Sequence, residues 1–162
     1  MENAEKVIAD LGLSSHPEGG YFRAVYPDRR VPDELRTSVV EPGCASHIFY
    51  CLPKGQHSRL HQLGADEMFH HYCGWPLILV ELQKDGPPTF TTLGRSTSHG
   101  QIPYHMIPAG TVFGAYLPPG AEYSLVGCTV VPAFRWESFR LSDKESLLTE
   151  YPHCVDVISM LS

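Results

Sequence analysis

Glycine and proline cut this chain into segments too short for long helices and of strand length. Pro53-Lys54-Gly55, Gly74-Trp75-Pro76, Lys84-Asp85-Gly86-Pro87-Pro88, Pro108-Ala109-Gly110 and Pro118-Pro119-Gly120 put turn formers between apolar runs. Those runs predict strands over 45–52, 57–63, 67–73, 77–82, 89–93, 111–117 and 123–131. Short strands with turns every few residues suit a mostly β jelly roll or double-stranded β-helix barrel. At the ends the period changes. Ala4, Val7, Ile8 and Leu11 recur at helical spacing before Gly12, which predicts a short packing helix. Ser142-Asp143-Lys144-Glu145 has a capping-box pattern ahead of Leu147 and Leu148, and Val155, Ile158 and Leu161 follow Pro152, predicting a terminal helical pair.

The 162 residues suffice for one domain, taken here as 1–162, and are too few for separate catalytic and cofactor domains. A net charge of −6 with only 12 Lys and Arg spread along the chain argues against a nucleic-acid partner. No apolar run has the length of a spanning helix, and Met1-Glu2-Asn3-Ala4-Glu5-Lys6 lacks a basic stretch followed by an apolar one, so no membrane association and a cytoplasmic location are expected. Cys44, Cys51, Cys73, Cys128 and Cys154 are odd in number, widely spaced and without Cys-x-x-Cys, which fits reduced thiols rather than a disulfide framework.

His16-Pro17-Glu18-Gly19-Gly20-Tyr21-Phe22-Arg23, Ser58-Arg59-Leu60-His61, Asp66-Glu67-Met68-Phe69-His70, Ile107-Pro108-Ala109-Gly110 and Gly127-Cys128-Thr129-Val130-Val131-Pro132-Ala133-Phe134 occur in this order. Together they resemble the DUF985 (cupin_5) family, a branch of the RmlC-like cupins, whose signature includes His-Pro-Glu-Gly-Gly-Tyr. The resemblance spans most of the chain. It implies a small jelly-roll barrel, usually a homodimer, in a family without a settled activity.

Gly55, His61, Glu67 and Gly74 also fall where the general cupin metal motif requires Gly, the first His of His-x-His, Glu and Gly, but the second histidine is Leu63. The histidine that closes the second cupin motif, after Pro108-Ala109-Gly110, is replaced by Phe113. Leu and Phe have no lone pair to donate. Two of the four ligand positions implied by the resemblance are therefore lost, and His61 with Glu67 alone would hold an ion weakly unless His57 or His71 joined them. No metal or other cofactor is expected; the alternative is an apolar-walled pocket for a small organic molecule.

Side chains alternate along a strand, so His61 and Leu63 share one face, and Glu67, Phe69, His71 and Cys73 share a face of the next strand. With the register implied by the cupin match, His61, Glu67 and His71 surround one cavity walled by Leu63 and Phe69, with Ser58 and Phe113 in the same pocket. His70 and Tyr72 face the other way. A carboxylate beside a histidine can hold its tautomer and share its proton, so His61 and Glu67 are the catalytic candidates; the competing reading is that they only satisfy each other's hydrogen bonds. By analogy with RmlC-like epimerases, which pair a histidine base with a tyrosine acid, Tyr50, Tyr116 and Tyr123 are candidate acids.

Pro17 and the paired glycines make His16-Pro17-Glu18-Gly19-Gly20 a turn into a strand at Tyr21-Phe22-Arg23, with Glu18 placed at the cavity mouth and Arg23 available to an anionic group. Trp75 reads as packing over a turn, Trp136 as half-buried on an edge strand, and Arg29-Arg30 as a solvated loop. His99, His105 and His153 show no ligand spacing and read as surface or hydrogen-bonded histidines. The function expected is a metal-independent isomerase or epimerase-like activity on a carbohydrate-type substrate. The alternatives are a non-catalytic ligand-binding protein and a metal-dependent cupin oxygenase or isomerase.

Overall fold

The computed structural model describes residues 3–26 and 43–162, so Arg29 and Arg30 lie outside the described residues. Helix α1 (Ala4–Leu11) starts where the Asn3 side chain accepts from the Lys6 amide and stops at left-handed Gly12. Among the described residues eleven strands follow: β1 (Ser14–Ser15), β2 (Tyr21–Tyr26), β3 (Ser46–Pro53), β4 (His57–Leu63), β5 (Asp66–Gly74), β6 (Leu77–Glu81), β7 (Thr89–Leu93), β8 (Tyr104–Ile107), β9 (Val112–Tyr116), β10 (Tyr123–Val131) and β11 (Phe139–Leu141), before α2 (Lys144–Glu150) and α3 (Val155–Leu161). The strands form two antiparallel sheets, β1-β2-β3-β10-β5-β8 and β11-β4-β9-β6-β7. This is the mostly β jelly-roll barrel with short terminal helices that the turn spacing predicts.

All seven predicted strands are present with ends shifted by at most a residue. The unpredicted β1, β8 and β11 are short strands near sheet edges, β1 and β11 too brief to show an alternation. The α2 cap also differs: Asp143, one residue past Ser142, accepts from the Ser146 amide.

Tyr50, Leu52, Phe69, Leu79, Phe113 and Val126 fill the space between the sheets. Helices α2 and α3 cover the outside of the five-stranded sheet through Leu147, Ile158 and Leu161 against Leu60, Val80 and Val112. Helix α1 covers part of the other sheet, packing Val7 and Leu13 on Cys51 and Leu125. Central strands are thus buried on both faces, which explains their near-continuous apolar reading.

Two irregularities change which side chains point inward. In the β4–β9 pair Ser58 lies opposite Ala115 and His61 opposite Phe113, so Arg59 and Leu60 together face Gly114. Strict alternation would separate Ser58 from His61; this bulge turns both into the barrel. A Cβ on Gly114 would stand 2.8 Å from the Ser58 carbonyl oxygen, so the narrow approach depends on glycine. In the β5–β10 pair the register shifts between Leu125 and Val126, with His71 opposite Val126 and Cys73 opposite Leu125. Cys73 is thereby moved off the inner face of Glu67, Phe69 and His71 and joins the cluster under α1.

Phe69 and Phe113, 5% and 2% exposed, belong to this core and not to the cavity wall where they were expected. Alanine at either position should cost about 3 to 5 kcal/mol in denaturant unfolding. A loss at both no larger than that of a surface substitution would contradict the packing.

Candidate functional site

The site begins at the turn His16-Pro17-Glu18-Gly19-Gly20. Gly19 and Gly20 have φ of 111° and 72°, and their missing side chains let the turn press onto the barrel: a Cβ on Gly19 would be 2.2 Å from the His57 carbonyl oxygen and one on Gly20 2.7 Å from the Tyr50 hydroxyl. The Arg59 amide donates to the Glu18 carbonyl at 2.8 Å, and the Tyr50 hydroxyl donates to the Gly19 carbonyl at 2.9 Å. Held this way, the turn drives the Glu18 side chain inward. Glu18 Oε1 accepts from Ser58 Oγ at 2.9 Å and Oε2 lies 3.2 Å from His61 Nε2.

The proton on this pair can be located by elimination. His61 Nδ1 is 2.7 Å from the Arg59 carbonyl oxygen, which only accepts, so Nδ1 carries a hydrogen. At Nε2 a lone pair would then face a carboxylate oxygen, and the contact is satisfied only with a proton between them. A protonated His61 beside an ionised Glu18 makes this 3.2 Å contact a net-neutral ion pair. His16 is arranged differently. Its Nδ1 accepts from the Glu18 amide at 3.3 Å, and burial lowers its pKa, so its 3.5 Å approach to Glu18 Oε2 is made by a neutral ring.

Glu67 lies across the same cavity, 7% exposed, with no hydrogen-bond partner for Oε2. Burial, and then the charge of Glu18, push its carboxyl up to about 8, so it holds its proton at neutral pH. Beside it, burial raises the Cys128 thiol well above its ordinary value, with the charge of Glu67 adding to the effect. The cavity measures about 260 Å³. Phe22, Phe134, Trp136 and Phe139 form an aromatic wall; Trp136 stacks on His16 with centroids 5.8 Å apart and meets Phe134 edge-on at 4.8 Å.

Of the residues singled out from the sequence, Glu18, His61, Leu63 and Glu67 line this cavity. Ser58 stands behind it as the donor to Glu18. His71 points inward but away from the cavity, its Nε2 donating to the Trp75 carbonyl at 3.0 Å, and burial lowers its pKa. The expected pairing of His61 with Glu67 gives way to His61 with Glu18, because the glycine turn reaches His61 Nε2. Arg23 lies over the Phe49 ring and is not among the residues lining the cavity. Of the three tyrosines only Tyr50 lines the cavity. Burial, with the charge of Glu18, raises its pKa well above the ordinary value.

His16, Cys128, Phe134, Trp136 and Phe139 join the cavity without being named as pocket residues by the sequence. His16 had a usable signal, its place in the glycine-turn motif. Trp136 had none, since it comes from a 3-10 turn (Trp136–Ser138) rather than an edge strand. His99 bonds Ser96, and His105 bonds Glu81 at 2.7 Å, as hydrogen-bonded histidines should.

A family model described as Cupin superfamily (DUF985) matches residues 5–142. The chain belongs to the DUF985 family of cupins. A crystal structure of a Shewanella oneidensis protein is 34% identical, with 100% of this chain and 98% of that one covered and a TM-score of 0.86. A hypothetical protein from Leishmania major is 26% identical over 99% of both chains, also with a TM-score of 0.86. A Bacillus subtilis oxalate decarboxylase variant, 16% identical with a TM-score of 0.57 over 91% of this chain and 37% of its own, shares the fold alone. No curated protein matches.

Cupin barrels often hold metals, but the donors of this DUF985 chain do not fit one. Among the described residues no group of three or more His, Cys, Asp or Glu is arranged to hold an ion. Leu63 and Phe113 replace two donors, and the Phe113 ring centroid lies 4.2 Å from that of His61. Ser58 points inward, so the adjacent His57 is turned to the outer side, near Tyr116 and Leu117. Both nitrogens of His61 are already engaged by Arg59 and Glu18. A chelator is therefore expected to leave the melting temperature unchanged, and a stability loss reversed by one divalent ion per chain would contradict this.

Proposed function

We propose that this cavity binds a small organic molecule and that the chain, as one cupin domain, is a metal-independent isomerase or epimerase-like enzyme working by proton transfer on a carbohydrate-type substrate. The observation that carries this reading is the 3.2 Å approach of His61 Nε2 to Glu18 Oε2 on the cavity wall. The pair can take up or release a proton with little rearrangement, because the Arg59 carbonyl and the Ser58 hydroxyl hold its outer atoms. Glu67 supplies an acid on a separate residue, and two carboxyl groups with different proton occupancy provide both halves of an acid–base reaction. The aromatic wall supports a substrate with a ring face.

The test is deuterium incorporation. In D2O with a panel of neutral aldoses, ketoses and lactones, the wild type should exchange a C–H next to a carbonyl, seen by NMR, and His61→Asn should not. A second reading, non-catalytic ligand binding, is favoured by Tyr50, the candidate acid that lines the cavity, whose hydroxyl is committed to the Gly19 carbonyl. Ligand binding that survives His61→Asn, with no exchange by either form, would establish it. A homodimer belongs to the proposal and is supported by the exposed Tyr72, Tyr104 and Met106 on the outer side of β5 and β8; sedimentation measures it directly.

A further inference from the structure

Resting on the proton-transfer reading, we infer that the substrate is an uncharged carbonyl compound with a flat or cyclic face, its oxygen seated against the Glu67 carboxyl and the neighbouring C–H against Glu18 and His61. Three observations lead there. The Glu67 carboxyl is buried, lines the cavity, and has an Oε2 with no partner. A carboxyl on the cavity wall that keeps one buried oxygen unpartnered gains a hydrogen bond by turning to a polar atom of the ligand. Second, no Lys or Arg is among the described residues lining the cavity. Among the described residues, a carboxylate or phosphate entering there would meet two carboxyl groups and no fixed cation, at a high desolvation cost. Third, the wall beside His16 is aromatic, with Trp136 half exposed at 51%, open to stacking by an incoming ring.

The proton inventory agrees. Burial lowers the His16 pKa, and Glu67 retains its proton at neutral pH because burial and the Glu18 charge oppose ionisation. Glu67 is therefore a hydrogen-bond donor on the cavity wall. A ketone, lactone or aldehyde oxygen complements it, whereas an ammonium group would first have to displace its proton.

The step balances without any other reactant. The C–H bond beside the carbonyl breaks and its proton passes to the Glu18–His61 unit. The C–H electron pair becomes the new C=C bond, the carbonyl π pair moves onto oxygen, and that oxygen takes the proton held by Glu67. In an α-hydroxy carbonyl substrate, return of that proton from the Glu18–His61 unit to the former carbonyl carbon, with Glu67 recovering its own from the neighbouring hydroxyl, gives the isomer. Glu67 therefore touches the reacting oxygen and is a catalytic residue in this scheme.

Three naphthalene probes of equal shape test the ligand class by fluorescence titration: 2-naphthol, whose oxygen mimics the enol, 2-naphthoate and 2-naphthylmethylammonium. Wild type should bind 2-naphthol at least tenfold more tightly than either charged probe. Glu67→Leu should weaken 2-naphthol at least tenfold, and Glu67→Gln, which keeps an N–H donor, should stay within about threefold of wild type; circular dichroism confirms that both variants are folded. Tighter binding of either charged probe, or equal 2-naphthol affinity in wild type and Glu67→Leu, overturns the inference. If naphthol binding follows Glu67 but no carbonyl compound exchanges deuterium, the ligand class stands and the enzymatic reading falls. If exchange is as fast in Glu67→Leu as in wild type, the enzymatic reading stands and the role given to Glu67 falls.

Discussion

Replacing Glu67 with glutamine is expected to favour the folded protein increasingly as the pH is raised from 5 to 8. In the unfolded chain the Glu67 carboxyl ionises near its ordinary value of 4.5, but in the folded protein only near 8. Between those values the folded form holds a proton that the unfolded form has released. Folded-state stability must then fall as pH rises across this window, and the whole penalty is present above it. A shift of this size corresponds to at most about 5 kcal/mol, with the larger part developed by pH 7.5. The groups facing the carboxyl are Glu18 from the glycine turn, Cys128 from β10, His61 from β4 and Tyr50 from β3. None of them is a fixed cation that would relieve the penalty.

Buried histidines act in the opposite sense. His16 and His71, with pKa values lowered by burial, add stability as pH rises towards their ordinary value near 6.5. The informative quantity is therefore the difference between wild type and Glu67→Gln, in which the histidine contributions cancel. Urea unfolding at pH 5, 6, 7 and 8 measures it. Parallel stability curves for the two proteins would mean that Glu67 is ionised in the native state, and its role as an acid would be lost.

Glu18 should separate stability from chemistry. Glu18→Ala leaves His61 Nε2 and the Ser58 hydroxyl facing an empty space inside the barrel, and truncating one partner of a buried pair costs about 3 to 5 kcal/mol. Glu18→Gln should fold nearly as well as wild type. Its side-chain oxygen can still accept from Ser58, and its N–H can donate to a neutral His61 Nε2. The amide, however, neither takes up nor releases a proton near neutral pH. Deuterium exchange is expected to drop by at least a hundredfold in Glu18→Gln, the lower range for a lost general base, with unfolding little changed. Full exchange activity in this variant would remove Glu18 from the chemistry; an equal destabilisation by Gln and Ala would show that the two hydrogen bonds are not formed as described.

Much of this molecule is legible along the chain. Turn residues such as Pro53-Lys54-Gly55 and Pro118-Pro119-Gly120 bracket the strands, because proline and glycine end regular structure through their own backbone preferences. The same local logic places α1 between Asn3 and Gly12, and the spacing of Gly55, His61, Glu67 and Gly74 indicates a cupin barrel with two ligand positions lost.

The side-chain constellation was decided by the tertiary structure. Ser58 reaches the same face as His61 only because Arg59 and Leu60 together oppose Gly114, a glycine on a distant strand. A comparable shift opposite Leu125 and Val126 sends Cys73 outward. Alternation cannot foresee either, since a bulge is a property of two paired strands and not of one. The partner of His61 follows the same rule. Glu67 is closer in sequence, but Glu18 wins the contact because two glycines let a remote turn press its backbone onto β4 and Tyr50. Sequence alone determined the barrel and the residue types available to it; which carboxyl meets the histidine, and which stays protonated on the cavity wall, depended on long-range packing that brings separate segments within hydrogen-bond distance.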